Sequence, residues 1–231
     1  MSLYVRGKHR YYRSRTPTAG YQWRPTRQPV VVERWRNADP PGSTYTTVGL
    51  WFTPEWDVTF EGRKLQGSKR TDWLRCVDLP ARSGAVFEMA LRAFGDVPAD
   101  RGLLERRGWR IANPLSVSTD PWRYRLYLMH SRGEFSVAKK TVVATRCGWF
   151  SDRSACYLAA GRPVVLQDTG FGDVLPLGPG LHAFRNVEEA AGAIREIEAD
   201  YARARAHAFE VAHEYFTAEK VLGRRLSEAG L

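Results

Sequence analysis

Two short polar clusters lie at positions typical of a ligand site: residues 151–154 at a predicted helix start and residues 168–170 just after a predicted strand. Ser151 is a residue type that favours the N-cap position, so the first cluster predicts a helix start with exposed backbone N–H groups and the positive end of the helix dipole. That helix ends at Gly161, and a buried strand, 164–166, leads into the second cluster. Because open α/β sheets bind ligands outside the carboxyl ends of their strands, the two clusters predict a ligand site at that edge.

The first turn of this helix carries one acidic and one basic residue. Asp152 suits the positive end of a helix dipole, whereas Arg153 does not. An anion such as a phosphate would explain Arg153, since it would bind the backbone N–H groups and the guanidinium together, beside Ser151 and Ser154. Pairing of Arg153 with a nearby acidic side chain is the alternative explanation. The residue types alone leave both open.

The cluster after the strand consists of Asp168, Thr169 and Gly170. A short acid at this place can bind the hydroxyl groups of a sugar, and the glycine lets the backbone approach a ligand closely. Asp168 is also a common turn residue that accepts a hydrogen bond from its own backbone. The sequence leaves these two roles open as well.

Short apolar runs alternate with amphipathic segments from Thr44 onward, which predicts a parallel sheet. The helix after residues 118–120 begins with Pro121, a typical first helical residue. The runs predict strands at 44–51, 85–93, 109–112, 164–166 and 181–185, a small hairpin or strand edge at 57–63, a brief β-branched run at 142–144, and helices at 68–76, 99–107, 187–197 and 201–229. The fold class predicted is α/β, a Rossmann-like parallel sheet with helices on both faces, long C-terminal helices and a basic N-terminal arm.

The 231 residues predict a basic arm, 1–40, followed by one domain, 41–231. Up to Arg36 the chain has nine basic residues and a single acidic one, Glu33, interleaved with aromatic residues. Such an arm is typical of contact with nucleic acid or an acidic partner, and also of a solvated extension, which is the commoner case. No apolar run approaches the roughly 20 residues of a membrane span. The three cysteines fit no disulfide framework, which favours a reduced, cytoplasmic protein.

Three segments carry a resemblance to a known family: SRGEFSVAK (131–139), CGWFSDRSACYLAAGRPVVLQDTGF (147–171) and AHEYFTAEKVLGRRL (212–226). They resemble the C-terminal half of bacterial glycosyltransferases of the GT-B type. In that half, a Rossmann-like domain holds a nucleotide-diphosphate sugar, which is a donor substrate rather than a cofactor. The resemblance implies transfer of the glycosyl group to an unknown acceptor by a metal-independent enzyme. The absence of Asp-x-Asp metal motifs agrees with that, and no metal ligands are predicted.

The resemblance also implies roles for individual residues. Residues of the helix start (Ser151, Asp152, Arg153 and Ser154) would face the donor diphosphate, and the cluster 168–170 would contact the sugar. The segment 131–135 would form a preceding loop, with Arg132 as a further phosphate ligand and Glu134 as a ribose or structural contact. His130, close to that loop, is the candidate catalytic residue for proton transfer, a hydrogen-bonded structural histidine being the commoner case.

The sequence departs from the family pattern in two respects. Many GT-B families have a pair of glutamates around this helix, where this chain has Gly148 and Cys156. A complete GT-B enzyme also has two Rossmann-like domains, whereas this chain predicts one, so a homo-oligomer or a partner supplying the N-terminal domain would complete the cleft. The alternatives are a non-catalytic binding protein whose basic arm contacts nucleic acid or an acidic partner, and a truncated product without a function of its own.

Overall fold

The computed structural model describes residues 14–17, 19–20, 26–36, 40–51, 57–65, 68–92 and 98–231. The strands are β1 (Thr44–Leu50), β2 (Val58–Phe60), β3 (Arg63–Leu65), β4 (Val86–Arg92), β5 (Trp109–Ile111), β6 (Gly133–Ser136), β7 (Val164–Gln167) and β8 (Leu181–Phe184). The helices are α1 (Arg70–Arg75), α2 (Leu79–Ser83), α3 (Pro98–Arg106), α4 (Pro114–Ser118), α5 (Pro121–His130), α6 (Lys140–Ala144), α7 (Asp152–Ala159), α8 (Val187–Ala199), α9 (Tyr201–Tyr215) and α10 (Ala218–Ala229). Short 3-10 helices cover Val32–Trp35 and Phe171–Asp173.

Within the described residues, six strands form one parallel sheet in the order β5-β4-β1-β6-β7-β8. The chain builds outward from β1 in one direction, returns to β6 beside β1, and then builds outward in the other direction. This reversal is the arrangement of a Rossmann-like sheet. The predicted Rossmann-like parallel sheet and long C-terminal helices are therefore confirmed, whereas the basic N-terminal arm is not. β2 and β3 form a separate antiparallel hairpin.

Apolar side chains cover both faces of the sheet. One face carries an aromatic cluster in which Phe87, Trp109, Phe135 and Phe184 contact one another, and α8 packs on it. The other face buries residues of β7, α7 and α9 together with Phe216. Because the six strands of this sheet are parallel, the segments that follow them begin at its carboxyl edge. The N-terminus of a helix that directly follows a strand therefore lies near that edge.

Two segments differ from the sequence-based expectation. The β-branched run 142–144 lies in α6, not in a strand, because β7 already pairs with β6 at that side and leaves no position in the sheet. The segment 131–135 was expected to be a loop, but Gly133–Ser136 is the fully buried strand β6. Its polar residues are tolerated in the interior because Glu134 and Ser136 bind Arg153.

The predicted helical pattern 201–229 is divided at Phe216 and Thr217. There the Val30 N–H donates to the Phe216 carbonyl at 2.7 Å, and the Ala218 N–H donates to the Val30 carbonyl at 2.9 Å. The segment 26–36 therefore packs against the C-terminal helices. The rest of the predicted basic arm, apart from 14–17, 19–20 and 40, lies outside the described residues. Among the described helices, none is long and apolar enough to cross a membrane.

Candidate functional site at the carboxyl edge of the sheet

The two central strands separate toward their carboxyl ends. All seven residues of β1 pair with β4, but only Tyr45 and Thr46 pair with β6, opposite Gly133 and Glu134. This is the switch point of the sheet, where the connections turn in opposite directions. Ligands of open α/β sheets bind in the crevice that opens there.

A cavity of about 410 Å³ lies at this switch point. Its lining comes from the end of β1, the start of α1, the segment after β6 and the segment before α7: Gly49, Leu50, Trp51, Lys69, Lys139, Val142 and Trp149. The Lys69 ammonium lies 5.2 Å from the centre of the Trp149 ring, within the range of a cation–π contact. Two cations among apolar walls can bind an anion that carries an apolar or aromatic group.

Sequence reasoning did not identify Lys69, Lys139 or Trp149. Lys139 follows β6 after two residues, so a correct assignment of β6 as a strand would have placed this lysine at the carboxyl edge. Lys69 immediately precedes α1, the helix that follows β1 and its hairpin. The rule that ligands bind outside strand ends would therefore have found both lysines, but only with the strand order known.

The start of α7 lies at the same edge, as predicted. Ser151 occupies the N-cap position, but its hydroxyl donates to the Asp152 carboxylate at 3.2 Å and makes no capping bond. Asp152 is exposed and accepts a hydrogen bond from the Arg153 N–H at 2.9 Å. Ser154 is fully buried, so its side chain cannot reach a ligand at the surface. The part of this helix start that can attract an anion is therefore its backbone, since the exposed Asp152 carboxylate is itself negative.

The side chain of Arg153 is directed into the protein. Its Nε lies 2.7 Å from Glu134 Oε1, Nη2 lies 2.8 Å from Ser136 Oγ, and Nη1 donates to the Val48 carbonyl. Burial lowers the pKa of Arg153, but the charge and hydrogen bond of Glu134, together with Tyr124 and Tyr157, raise it by more, so that the pKa stands above its ordinary value. Of the two explanations that the sequence left open, the structure shows the acidic partner. Glu134 lies in a strand and is fully buried, not in a loop at the surface.

The second polar cluster ties together two loops at this edge. Asp168 accepts a hydrogen bond from the Gly170 N–H at 2.8 Å, which is the turn role considered for it, and its other oxygen lies 3.3 Å from both Arg146 and Arg185. Thr169 is fully buried and its hydroxyl donates to the Trp149 carbonyl at 2.6 Å. Gly170 has φ +88°, a conformation that favours glycine.

These contacts place the cluster next to the cavity, because Trp149 lines it. Arg146, two residues before Gly148, has φ +45°, which is uncommon for a residue with a side chain. Its guanidinium lies between Asp168 and Asp173, at 3.3 and 3.2 Å. The carboxyl edge therefore presents arginine N–H groups beside Asp168, next to the lysines of the cavity.

His130 and Arg132 do not lie at this edge, which corrects the placement implied by the sequence. Both residues precede β6 and therefore lie at the amino edge of the sheet. Arg132 forms a double hydrogen bond with Glu198, at 2.9 and 2.6 Å, and lies over the Tyr201 ring. His130 Nδ1 lies 2.8 Å from the Leu126 carbonyl. The structure thus brings together residues 151–153 and 168–170 but separates His130 and Arg132 from them.

A larger open groove, of about 840 Å³, is lined by the end of α7, by α9 and by Arg36 and Pro41. Alanine, glycine, Arg205, Tyr201 and Phe209 make up the rest of its lining, and the end of α7 lies at the edge of the sheet opposite to the carboxyl ends of the strands. We assign the site to the smaller cavity because it lies outside the carboxyl ends of the central strands, where open α/β sheets bind their ligands. In the part of the chain that the structure describes, no group of three His, Cys, Asp or Glu residues is arranged to hold a metal ion.

Several solved structures are similar to this chain in fold. HepE from Anabaena in complex with UDP superposes with a TM-score of 0.60 at 11% identity, covering 89% of this chain and 56% of HepE. AviGT4, a glycosyltransferase involved in avilamycin A biosynthesis, superposes with a TM-score of 0.60 at 14% identity, covering 90% of this chain and 57% of AviGT4. TarM superposes with a TM-score of 0.53 at 16% identity, covering 80% of this chain and 34% of TarM.

No protein-family model matches the sequence, and no curated protein matches it significantly. The chain spans a little over half the length of HepE and AviGT4, as a single half of a two-domain enzyme would. The resemblance predicted from the sequence is therefore confirmed at the level of the fold. The protein has a Rossmann-like glycosyltransferase fold of the GT-B type, and its coverage is consistent with the C-terminal half.

Proposed function

We propose that this chain binds a nucleoside-diphosphate sugar at the carboxyl edge of its sheet, as the donor-binding part of a glycosyltransferase. The observation that carries the proposal is the 410 Å³ cavity at the switch point, with Lys69 and Lys139 in its lining. A nucleoside diphosphate combines an aromatic base with a dense negative charge. Apolar walls beside two ammonium groups complement both parts.

The start of α7 adds a second source of positive potential. Its first backbone N–H groups lack partners within the helix, and the helix dipole is positive at this end. A diphosphate between the two lysines and the backbone at the start of α7 would receive positive potential from both sides, without a metal ion or other cofactor. These groups are preorganised and would stabilise the diphosphate as it leaves, which is the electrostatic contribution expected in glycosyl transfer.

The sugar would then lie toward residues 168–170, the neighbouring loop at the same edge. Asp168 and the arginines beside it, Arg146 and Arg185, offer acceptors and donors to its hydroxyl groups. The similarity of fold to UDP-bound HepE supports the donor class but leaves base and sugar to experiment. The acceptor hydroxyl would take the glycosyl group from this edge.

A second domain or subunit would complete the cleft. The chain spans 56% of HepE, and α10 buries only Ala218 while Leu222 and Leu226 are 48% and 52% exposed. Exposed leucines on one helix are typical of a surface covered by a partner. Glycosyl transfer therefore requires that partner in our proposal, whereas donor binding does not.

Calorimetric titration with UDP, GDP, dTDP and their sugars tests the proposal directly. We expect one nucleotide to bind, and Lys139→Ala and Lys69→Ala each to weaken binding by about tenfold to a hundredfold, as the loss of a charged hydrogen bond does. Lys220→Ala is the matched control, since Lys220 pairs with Glu214 at 2.6 Å on the C-terminal helices. Absence of binding to every nucleotide, or unchanged affinity in both lysine variants, would reject the proposal.

A further inference from the structure

Arg153 occupies the gap that opens between β1 and β6. The ladder between these strands ends at Thr46 and Glu134, so the following residues of β1 have no β6 partner. The Arg153 guanidinium contacts both sides of the gap: the Val48 carbonyl on β1, and Glu134 and Ser136 on β6. One side chain from α7 thus replaces the missing ladder where the two central strands diverge.

The buried charges make this arrangement specific. The Glu134 side chain is fully buried and that of Arg153 is 12% exposed, so the pair is shielded from solvent. Glu134 Oε2 has no hydrogen-bond partner among the described residues, and Arg153 therefore provides the main compensation for this carboxylate. A buried ion pair adds little net stability, because the cost of desolvation offsets the attraction, and we infer that this pair serves to define geometry.

The gap leads directly to the cavity. Gly49 and Leu50 line the cavity and follow Val48 on β1. Lys139 also lines the cavity and lies three residues after Ser136 of β6. A Cβ atom added to Gly49 would lie 3.6 Å from Arg153 Nη1, which places the guanidinium next to the cavity wall. Two of the segments that line the cavity therefore continue from the strand ends that Arg153 holds.

We propose that Arg153 is a positioning residue: its guanidinium fixes the separation of the β1 and β6 ends, and thereby the cavity that takes the ligand, without contacting the ligand itself. All three guanidinium nitrogens already bind protein groups, which argues against a phosphate contact. The role of the cavity as the donor site rests on the function proposed above. The structural part of the inference, the control of the strand ends, does not.

The test uses two substitutions of the pair. Arg153→Lys keeps a positive charge beside Glu134 but replaces a planar fork with a single ammonium that cannot reach β1 and β6 together. The double variant Arg153→Met with Glu134→Gln removes both charges at similar volume, which buried ion pairs commonly tolerate. Arg132→Lys is the matched control, because Arg132 pairs with Glu198 at the other edge.

Two measurements are made on each variant: hydrogen exchange by mass spectrometry, and the Kd of the nucleotide that the wild type binds. We expect exchange in segments 46–51 and 134–140 to rise about tenfold in both Arg153 variants, while segment 86–92 stays unchanged. Nucleotide Kd should rise about tenfold, equivalent to about 1.4 kcal/mol. Arg132→Lys should change neither quantity.

The outcomes separate the possible roles. Unchanged exchange at 46–51 together with unchanged Kd in Arg153→Lys would overturn the positioning role. A different result would show a direct phosphate contact instead: Arg153→Lys keeps the wild-type Kd, the double variant loses binding, and hydrogen exchange is unchanged in both variants. If the wild type binds no nucleotide, the proposed function fails, and the exchange data alone still decide whether Arg153 holds the strand ends.

Discussion

The two edges of the sheet differ in how closely the backbone is packed. At the amino edge, a Cβ atom on Gly42, Gly133 or Gly180 would lie 2.3 to 2.6 Å from a carbonyl oxygen of another segment. At the carboxyl edge, a Cβ atom on Gly49 would meet nothing nearer than 3.6 Å, and the 410 Å³ cavity opens beside it. The backbone is therefore in close contact at these three glycines of the amino edge. The divergence of β1 and β6 instead opens the 410 Å³ cavity at their carboxyl ends.

Charge does not distinguish the edges in the same way. Each edge has an arginine–carboxylate pair that also accepts a hydrogen bond from an aromatic side chain: Arg70, Asp100 and Trp51 at the carboxyl edge, and Arg132, Glu198 and Tyr45 at the amino edge. Only the first borders the cavity, through Trp51. A cluster of charges therefore does not mark a site by itself. Its position relative to the strand ends does.

Alanine substitution of one glycine at each edge tests the difference in packing. In Gly180→Ala the new Cβ would lie 2.3 Å from the Ala204 carbonyl and 2.5 Å from the Ala208 nitrogen, so α9 must move. We expect a loss of about 3 kcal/mol in the free energy of unfolding, measured by urea denaturation. Gly49→Ala should change it by less than about 1 kcal/mol. Equal losses in the two variants would contradict the contrast between the edges.

The two arginine–carboxylate clusters should also differ in their contribution to stability. The Asp100 side chain is 8% exposed and accepts three hydrogen bonds from Arg70 and Trp51, whereas Glu198 is 39% exposed. We expect Asp100→Asn to cost about 2 kcal/mol at neutral pH, and Glu198→Gln less than about 1 kcal/mol. Urea denaturation of both variants beside the wild type measures these losses.

The same comparison has a pH dependence with a defined sign. Hydrogen bonds from Arg70 hold the pKa of Asp100 below its ordinary value, despite burial. A carboxylate with a lowered folded-state pKa contributes stability that is present above its unfolded pKa, about 3.9, and lost as pH falls through the folded value. Wild type and Asp100→Asn should therefore converge in stability at acid pH. A constant difference down to the lowest pH would contradict this role for Asp100.

Much of the fold was predictable from local sequence signals. The cap Asp120 with Pro121, the N-cap Ser151 and the apolar runs of β1, β4, β7 and β8 each give elements close to their observed bounds. In these segments, propensity, capping and apolar pattern agree with one another. The sequence failed where a tertiary contact outweighs the local pattern, as in β6, whose Glu134 is buried only because Arg153 from α7 compensates it.

That single error misplaced two of the ten predicted site residues, His130 and Arg132. With residues 131–135 taken as a loop, His130 and Arg132 would lie beside α7. As a strand of four residues, β6 spans about 13 Å and places His130 and Arg132 at one end of the strand and Lys139 at the other. The same strand delivers Lys139 to the cavity. Local sequence cannot resolve this, because GEFS is too short to show the alternation of a half-buried strand.

Among these variants, His130→Ala should change nucleotide binding and stability the least. It is also the most direct test of which edge of the sheet binds the nucleotide. A second cavity, of about 290 Å³, lies at the amino edge with His130, Glu88 and Thr46 in its lining. If the donor binds at the carboxyl edge, His130→Ala should leave the nucleotide Kd within about twofold of wild type and stability within about 0.5 kcal/mol. Lys139→Ala, measured in the same calorimetric series, should weaken binding by at least about tenfold.

The reverse pattern would move the site to the other edge. Loss of nucleotide binding in His130→Ala with retention in Lys139→Ala would place the ligand in the amino-edge cavity, against the rule that open α/β sheets bind ligands outside the carboxyl ends of their strands. That cavity holds the acidic Glu88, whose carboxylate accepts a hydrogen bond from Tyr127 at 2.7 Å. A carboxylate repels a diphosphate, whereas Lys69 and Lys139 attract it, so charge and topology both favour the carboxyl edge.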